Sequence, residues 1–403
     1  MNAAASDHAR PLARALGAAT LGLAVGALLL GRTGPPAAAQ RRRPAAPPPR
    51  DRHGADTIDA ADAAPQARRL YEAAALLAAS VLSDSALEHY RGGFENPGMF
   101  APLASAAVVL ACALHGARGA RNASVRLPPG AMRPRQAADD APEPVRPNDK
   151  DAFPQPSFLR RRGPESCTHH DPARALATRL RGGDDAEDSR TRSFLPADMP
   201  YATACAVGTA GLGFHAYNVL RRPGGLSWGN LFYAAPLGAP AALALAGVMG
   251  LAARPVARGT PLLAGLPSGR ALCGVAAFGI AGTSAEAALL HFRGAFQHPA
   301  MWLPVSLPPA AALLLARAAV SDGARPPRLA HLLLRACTWL GVIGVGFHTR
   351  GVARQMGGWR NWRQNLLAGP PLPAPPSFSA LALAGRAGLA LRAAQAGNPR
   401  RAA

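Results

Sequence analysis

One lysine, Lys150, stands among the 44 basic side chains of this 403-residue chain; the rest are arginines. Alanine, glycine and proline are also abundant, a skew that a GC-rich genome produces. A net charge of +21 would ordinarily suggest nucleic acid or an anionic surface. Here the arginines are scattered, aromatics make up only 5% of the chain, and no RNP, zinc-finger or helix-turn-helix signature occurs. Nucleic-acid binding is therefore not expected. The five cysteines (Cys112, Cys167, Cys205, Cys273, Cys337) form no CxxC or CxxCH, which argues against a disulfide scaffold, covalent c-type haem and a structural zinc. Four of them sit in apolar runs, where a thiol behaves as a small hydrophobe. No P-loop, HExxH, or GxSxG in a plausible strand-to-helix context occurs, so no enzyme class is suggested.

Charge of either sign is scarce, at 17% of residues, and it crowds into the first 70 residues, the stretch 117–198 and short connectors. Between these lie apolar runs of 17 to 25 residues, long enough to cross a ~30 Å hydrocarbon layer. The expected class is an all-α integral membrane protein. Residues 1–31 read as a signal peptide or an N-terminal anchor, and the Arg/Pro-rich stretch 32–66 as a disordered linker. Eight further spans follow, at 67–90, 99–116, 201–220 and 231–253, then at 271–292, 301–320, 329–349 and 365–391. The first four make membrane half 1 (67–253), which carries the polar, apparently unstructured insert 117–198. The others make membrane half 2 (271–392), and 393–403 is a C-terminal tail.

Internal repetition supports that division. His89-Tyr-Arg-Gly-Gly-Phe-Glu-Asn-Pro-Gly-Met-Phe-Ala-Pro-Leu103 returns as His291-Phe-Arg-Gly-Ala-Phe-Gln-His-Pro-Ala-Met-Trp-Leu-Pro-Val305, with seven of fifteen positions identical. Likewise Gly213-Phe-His215, Arg221, Gly224-Gly225, Asn230, Pro236 and Pro240 recur as Gly346-Phe-His348, Arg354, Gly357-Gly358, Asn365, Pro371 and Pro375. Two extra residues precede Asn365. An even number of helices per half makes these tandem parallel repeats. The arginine bias of the connectors places the histidine-bearing ends in the cytoplasm of a bacterial inner membrane and 117–198 in the periplasm.

The repeats bring four histidines, His89, His215, His291 and His348, towards one membrane face, together with Arg91 and Arg293. Asp84 and Glu286 each precede a histidine by five residues, about 140° apart around a helix, so acid and imidazole can meet only across helices. Ionisable groups inside a membrane are costly and mark candidate sites. Three readings follow: structural hydrogen bonding of each imidazole, ligation of a metal or b-type haem, and a polar site for a small ligand or translocated ion. Pro97, Pro299 and the Gly224-Gly225 and Gly357-Gly358 pairs form the structural part of the motif. Prolines within the return helices, Pro240, Pro308 and Pro309 among them, are expected to break the backbone ladder as in transporter sites. Lipid and a small ligand or ion are the expected partners. A non-catalytic scaffold is the remaining alternative. Cys167-Thr-His169-His170-Asp171 has metal-friendly residues but no second ligand cluster.

Overall fold

A computed structural model describes residues 57–126, 194–233, 236–321 and 328–396. The leader or anchor, the linker up to residue 56, the cluster at Cys167 and the last seven residues lie outside the described residues. The chain divides into a helical body, 1–126 with 196–403, and a second unit, 127–195, almost wholly outside them.

Ten helices are described: α1 (Ala60–Arg91), α2 (Phe100–Arg126), α3 (Phe194–Arg221), α4 (Trp228–Tyr233), α5 (Gly238–Ala257), α6 (Ser268–Arg293), α7 (Leu303–Val320), α8 (Arg328–Ala353), α9 (Trp362–Ala368) and α10 (Pro376–Ala396). Six stretches, Ala60–Arg91, Pro97–Ala123, Gly238–Ala257, Ser268–Arg293, Pro299–Val320 and Arg328–Ala353, are long and apolar enough to cross a membrane. The protein is thus an all-α, multi-pass membrane protein. The remaining long helices fall short for a visible reason. α3 carries Asp198 and His215 among small residues, and α10 carries Arg386 and Arg392.

The helices outrun the expected spans. α1 begins seven residues before position 67, and α2 and α3 extend into the polar insert at 117–126 and 194–198. The return segments 231–253 and 365–391 are not single helices. Each is a short helix, a break around Pro236 or Pro371, and then a long helix. Pro240 consequently falls in the first turn of α5, where its missing N–H costs no ladder bond. Pro308 and Pro309 do lie inside α7.

One face of α1 (Ala63, Ala67, Leu70, Ala74, Leu77, Val81) is buried at the three-four spacing of an amphipathic helix. It packs against α2, α5 and α10, while α6 packs against α7 and α10. Small residues set the close approaches. A Cβ on Gly208 of α3 would run into Ala244 and Pro240 of α5; one on its repeat equivalent, Gly341 of α8, would meet Ser379 and Pro375 at α10. Outward-pointing Phe214, Phe278, Leu313, Leu332, Trp339 and Val342 are all more than half exposed. That is a lipid-facing surface, since such a concentration of large apolar side chains is unusual in water.

At the end opposite the histidines, Ile58 N–H donates to Gly259 O at 2.9 Å, tying the start of α1 to the connector between the halves. That connector holds a small hairpin, β1 (Leu262–Leu263) with β2 (Leu266–Pro267), that was not expected in the all-α reading. Ala264 and Gly265, both at positive φ, make its primed turn. The carbonyl end of α7 is also satisfied there. Arg270 donates to Ala319 O (2.8 Å) and Val320 O (3.1 Å), and Arg392 donates to Ala318 O and to Ser321 O (3.1 Å). Two guanidiniums thus take up carbonyls that a helix end leaves without partners.

Candidate functional site

The loop after α1 and the loop after α6 turn identically. Gly93 and Phe94 adopt left-handed φ values of 66° and 51°; Ala295 and Phe296 do the same at 53° and 46°. Phe94 stacks on Phe100 at 4.6 Å, and Phe296 on Trp302 at 4.2 Å. Stacking and burial against the loop offset the cost of holding non-glycine residues in that region. Asn96 then caps the 3-10 turn Pro97–Met99 by accepting from Gly98 N–H (2.8 Å). At the equivalent place His298 accepts from Ala300 N–H through Nδ1 (3.1 Å), which gives that unrepeated histidine a capping role. Pro97 and Pro299 occupy first-turn positions suited to proline.

Each of the four repeated imidazoles closes one of these loops. His89 Nδ1 lies 2.7 Å from Met99 O, and His291 Nδ1 2.9 Å from Met301 O. In the other motif His215 Nδ1 lies 2.5 Å from Pro236 O, and His348 Nδ1 2.7 Å from Pro371 O. A carbonyl only accepts, so Nδ1 must carry the proton in all four. In the neutral ring Nε2 is then a lone-pair acceptor, and among the described residues it has no hydrogen-bond partner. All four rings are half-buried. His215 lies within electrostatic range of His89, and His348 within range of His291, so the imidazoles pair inside each half.

The acids pair across the halves instead. Asp84 of α1 lies within electrostatic range of Glu286 of α6 and of Glu88. Glu286 accepts from Gly238 N–H (3.1 Å) at the start of α5, so an acid of the second half caps the broken helix of the first. Any Cβ at Gly238 would overlap that carboxylate. The residue two past Pro371 is Pro373, which has no N–H, so Asp84 lacks the counterpart of this bond. Neither acid hydrogen-bonds a histidine.

Arg91 pairs with Glu88 at 2.8 Å on the exposed end of α1, and Arg293 lies 4.8 Å over the Tyr233 ring. Both arginines are therefore at the surface beside the imidazole layer rather than within it. Glu72 pairs with Arg68 one turn away at 2.7 Å and is one-third exposed.

The Gly-Gly pairs have a clear reason. Gly224, Gly225, Gly357 and Gly358 all take positive φ, between 51° and 86°. Asn230 Nδ2 donates to Pro223 O (3.1 Å) and Gly225 O (2.7 Å), and Asn365 Nδ2 donates to Met356 O (3.2 Å) and Gly358 O (2.8 Å). Sequence reading noticed both asparagines without assigning them a role. Their recurrence at a fixed distance after the glycines was the available signal.

Among the described residues no three His, Cys, Asp or Glu side chains converge as a metal site. Two open clefts, of about 420 and 460 Å³, lie between the end of α1 and α9, and none of the four histidines lines either. No family model, curated protein or solved structure matches this chain.

Proposed function

We propose that the chain spans a bacterial inner membrane eight times, as two tandem parallel four-helix repeats, and binds or transports a small ion or ligand. Its site is the polar layer of His89, His215, His291 and His348 with Asp84 and Glu286, flanked at the surface by Arg91 and Arg293. The histidine ends face the cytoplasm, as the arginine-rich connectors suggest. One observation carries the reading. Four half-buried imidazoles each spend Nδ1–H on a loop carbonyl, which keeps Nε2 as an acceptor in every ring. A purely structural histidine needs only the first nitrogen, so the second remains available as an acceptor in each ring. The broken α4–α5 and α9–α10 segments beside the rings add the interrupted-helix feature of transporter sites.

The test separates the two nitrogens. Asn resembles the Nδ1 side of the ring and keeps the bond to the carbonyl, whereas Gln reaches the Nε2 side. Purified protein goes into liposomes carrying an internal pH dye, with imposed gradients of protons, sodium, potassium and magnesium. A histidine-dependent flux of one of these should vanish in His215→Asn and His348→Asn while both variants keep the wild-type melting midpoint. Vesicles as tight as protein-free ones under every gradient would sink the transport reading. Unchanged flux in the Asn variants would remove the histidines from it, leaving the scaffold alternative.

A further inference from the structure

The two clefts at the end of α1 are parts of one groove, because Arg363 and Leu367 line both. One part is cationic, walled by Arg91, Asn361, Arg363 and Gln364 beside Leu367 and Ala368. The other is apolar, walled by Leu87, Phe94, Trp362 and Leu366. We infer that this groove binds one anionic phospholipid, with its phosphate between Arg91 and Arg363 and an acyl chain along the apolar part. The inference rests on the multi-pass membrane fold and not on the histidine layer.

Charge complementarity is the first argument. Arg363 donates to Tyr90 Oη and lies 5.4 Å over its ring, and Arg91 is held by Glu88. Each guanidinium is thus held in place with donors left over, which suits a phosphate oxygen pair. Depth is the second. Trp228, Trp302, Trp359 and Trp362 all sit at this end of the bundle, each between 46% and 72% exposed. Such a belt marks the headgroup level, where basic residues meet anionic lipid. A free anion would use the cationic part alone and leave the adjoining apolar part without purpose.

The internal repeat supplies the third argument, as a built-in control. The first-half connector reads Leu226-Ser-Trp-Gly229 and contains no arginine. Its second-half equivalent, Trp359-Arg-Asn-Trp-Arg-Gln364, is two residues longer and contains Arg360 and Arg363. The groove is built where the repeat departs from its own pattern, and it joins α1 of one half to α9 of the other.

Native mass spectrometry of the full chain from detergent, titrated with phosphatidylglycerol or phosphatidylcholine of matched acyl chains, tests this. One phosphatidylglycerol should be retained in preference to phosphatidylcholine. Arg91→Gln and Arg363→Gln should each weaken it about fivefold, Arg363→Lys much less, and Arg293→Gln not at all. Leu366→Glu, in the apolar part, should also release it. Equal retention of the two lipids would overturn the proposal, as would full retention by the doubly substituted protein. Displacement of the bound lipid by millimolar inorganic phosphate would overturn it too, by reassigning the site to a free anion. Arg363→Lys and Arg293→Gln guard against a folding defect, since both leave Tyr90 and the apolar wall in place.

Discussion

An imidazole pinned at Nδ1 has its tautomer chosen for it, and here that choice is made four times by loop carbonyls. The consequence is separable by substitution. His89→Asn should cost little stability, whereas His89→Leu leaves Met99 O without its donor and should cost about 1–3 kcal/mol, read as a lowered melting midpoint in detergent. Arg392→Leu should cost a similar amount, because Ala318 O and Ser321 O lose their shared guanidinium. Sequence alone was enough to single out the four histidines, because they repeat. Their partners were not readable there. Each partner is a carbonyl ten to 23 residues downstream, and every residue has a carbonyl. The counterpart of His298 is Asn96, another side chain able to accept from a backbone N–H two residues on, so residue identity does not show their shared role.

At the scale of elements, the breaks before α5 and α10 organise the site. Gly238→Ala would push a methyl into the Glu286 carboxylate and should lower stability by about 1–3 kcal/mol, the range for overpacking. In combination with Glu286→Ala the two effects should fall short of their sum, since they act through one contact; a double-mutant cycle by thermal melting checks it. Asn365→Ala strips two hydrogen bonds from a turn that needs Gly357 and Gly358 at positive φ. It should destabilise more than an exposed asparagine change, and a Gln at that position, one methylene too long, should not rescue it. The apolar runs draw each of these segments as one helix, whereas each is a short helix, a break and a long helix, and of the two long helices only Gly238–Ala257 is apolar enough to cross a membrane. A break of a few residues hardly alters a window average, and Pro236 and Pro371 reveal it only beside the preceding carbonyl geometry. The extension of α2 and α3 beyond their apolar cores escaped notice because charged residues can continue a helix once it has left the bilayer.

For the whole molecule, the alternation of helices puts Arg91, Arg222 and Arg293 on one side and the Leu262–Pro267 hairpin on the other. Reporter fusions after Arg222 and after Gly265 should therefore report opposite compartments, with the first cytoplasmic. The same compartment for both would overturn the topology. The recurring motifs were legible from residue identities; the meeting of Glu286 with Gly238 was not. Distances between helices far apart in sequence leave no trace in spacing, so the acids appeared as companions of the histidines rather than of each other.

Beside the packing of α1 on α10, three polar or ring contacts cross between the halves: Glu286 to Gly238, Arg293 to Tyr233, and Arg363 to Tyr90. Each half therefore supplies a piece that finishes the other, much as swapped arms do in a dimer. The covalent link between them is only a two-strand hairpin on the far side of the bundle. Cutting the gene at Ala264 should give two fragments that fail when expressed singly yet reconstitute when expressed together. The chain would then behave as a heterodimer whose subunits happen to share a backbone, and the tether would matter for stoichiometry more than for structure.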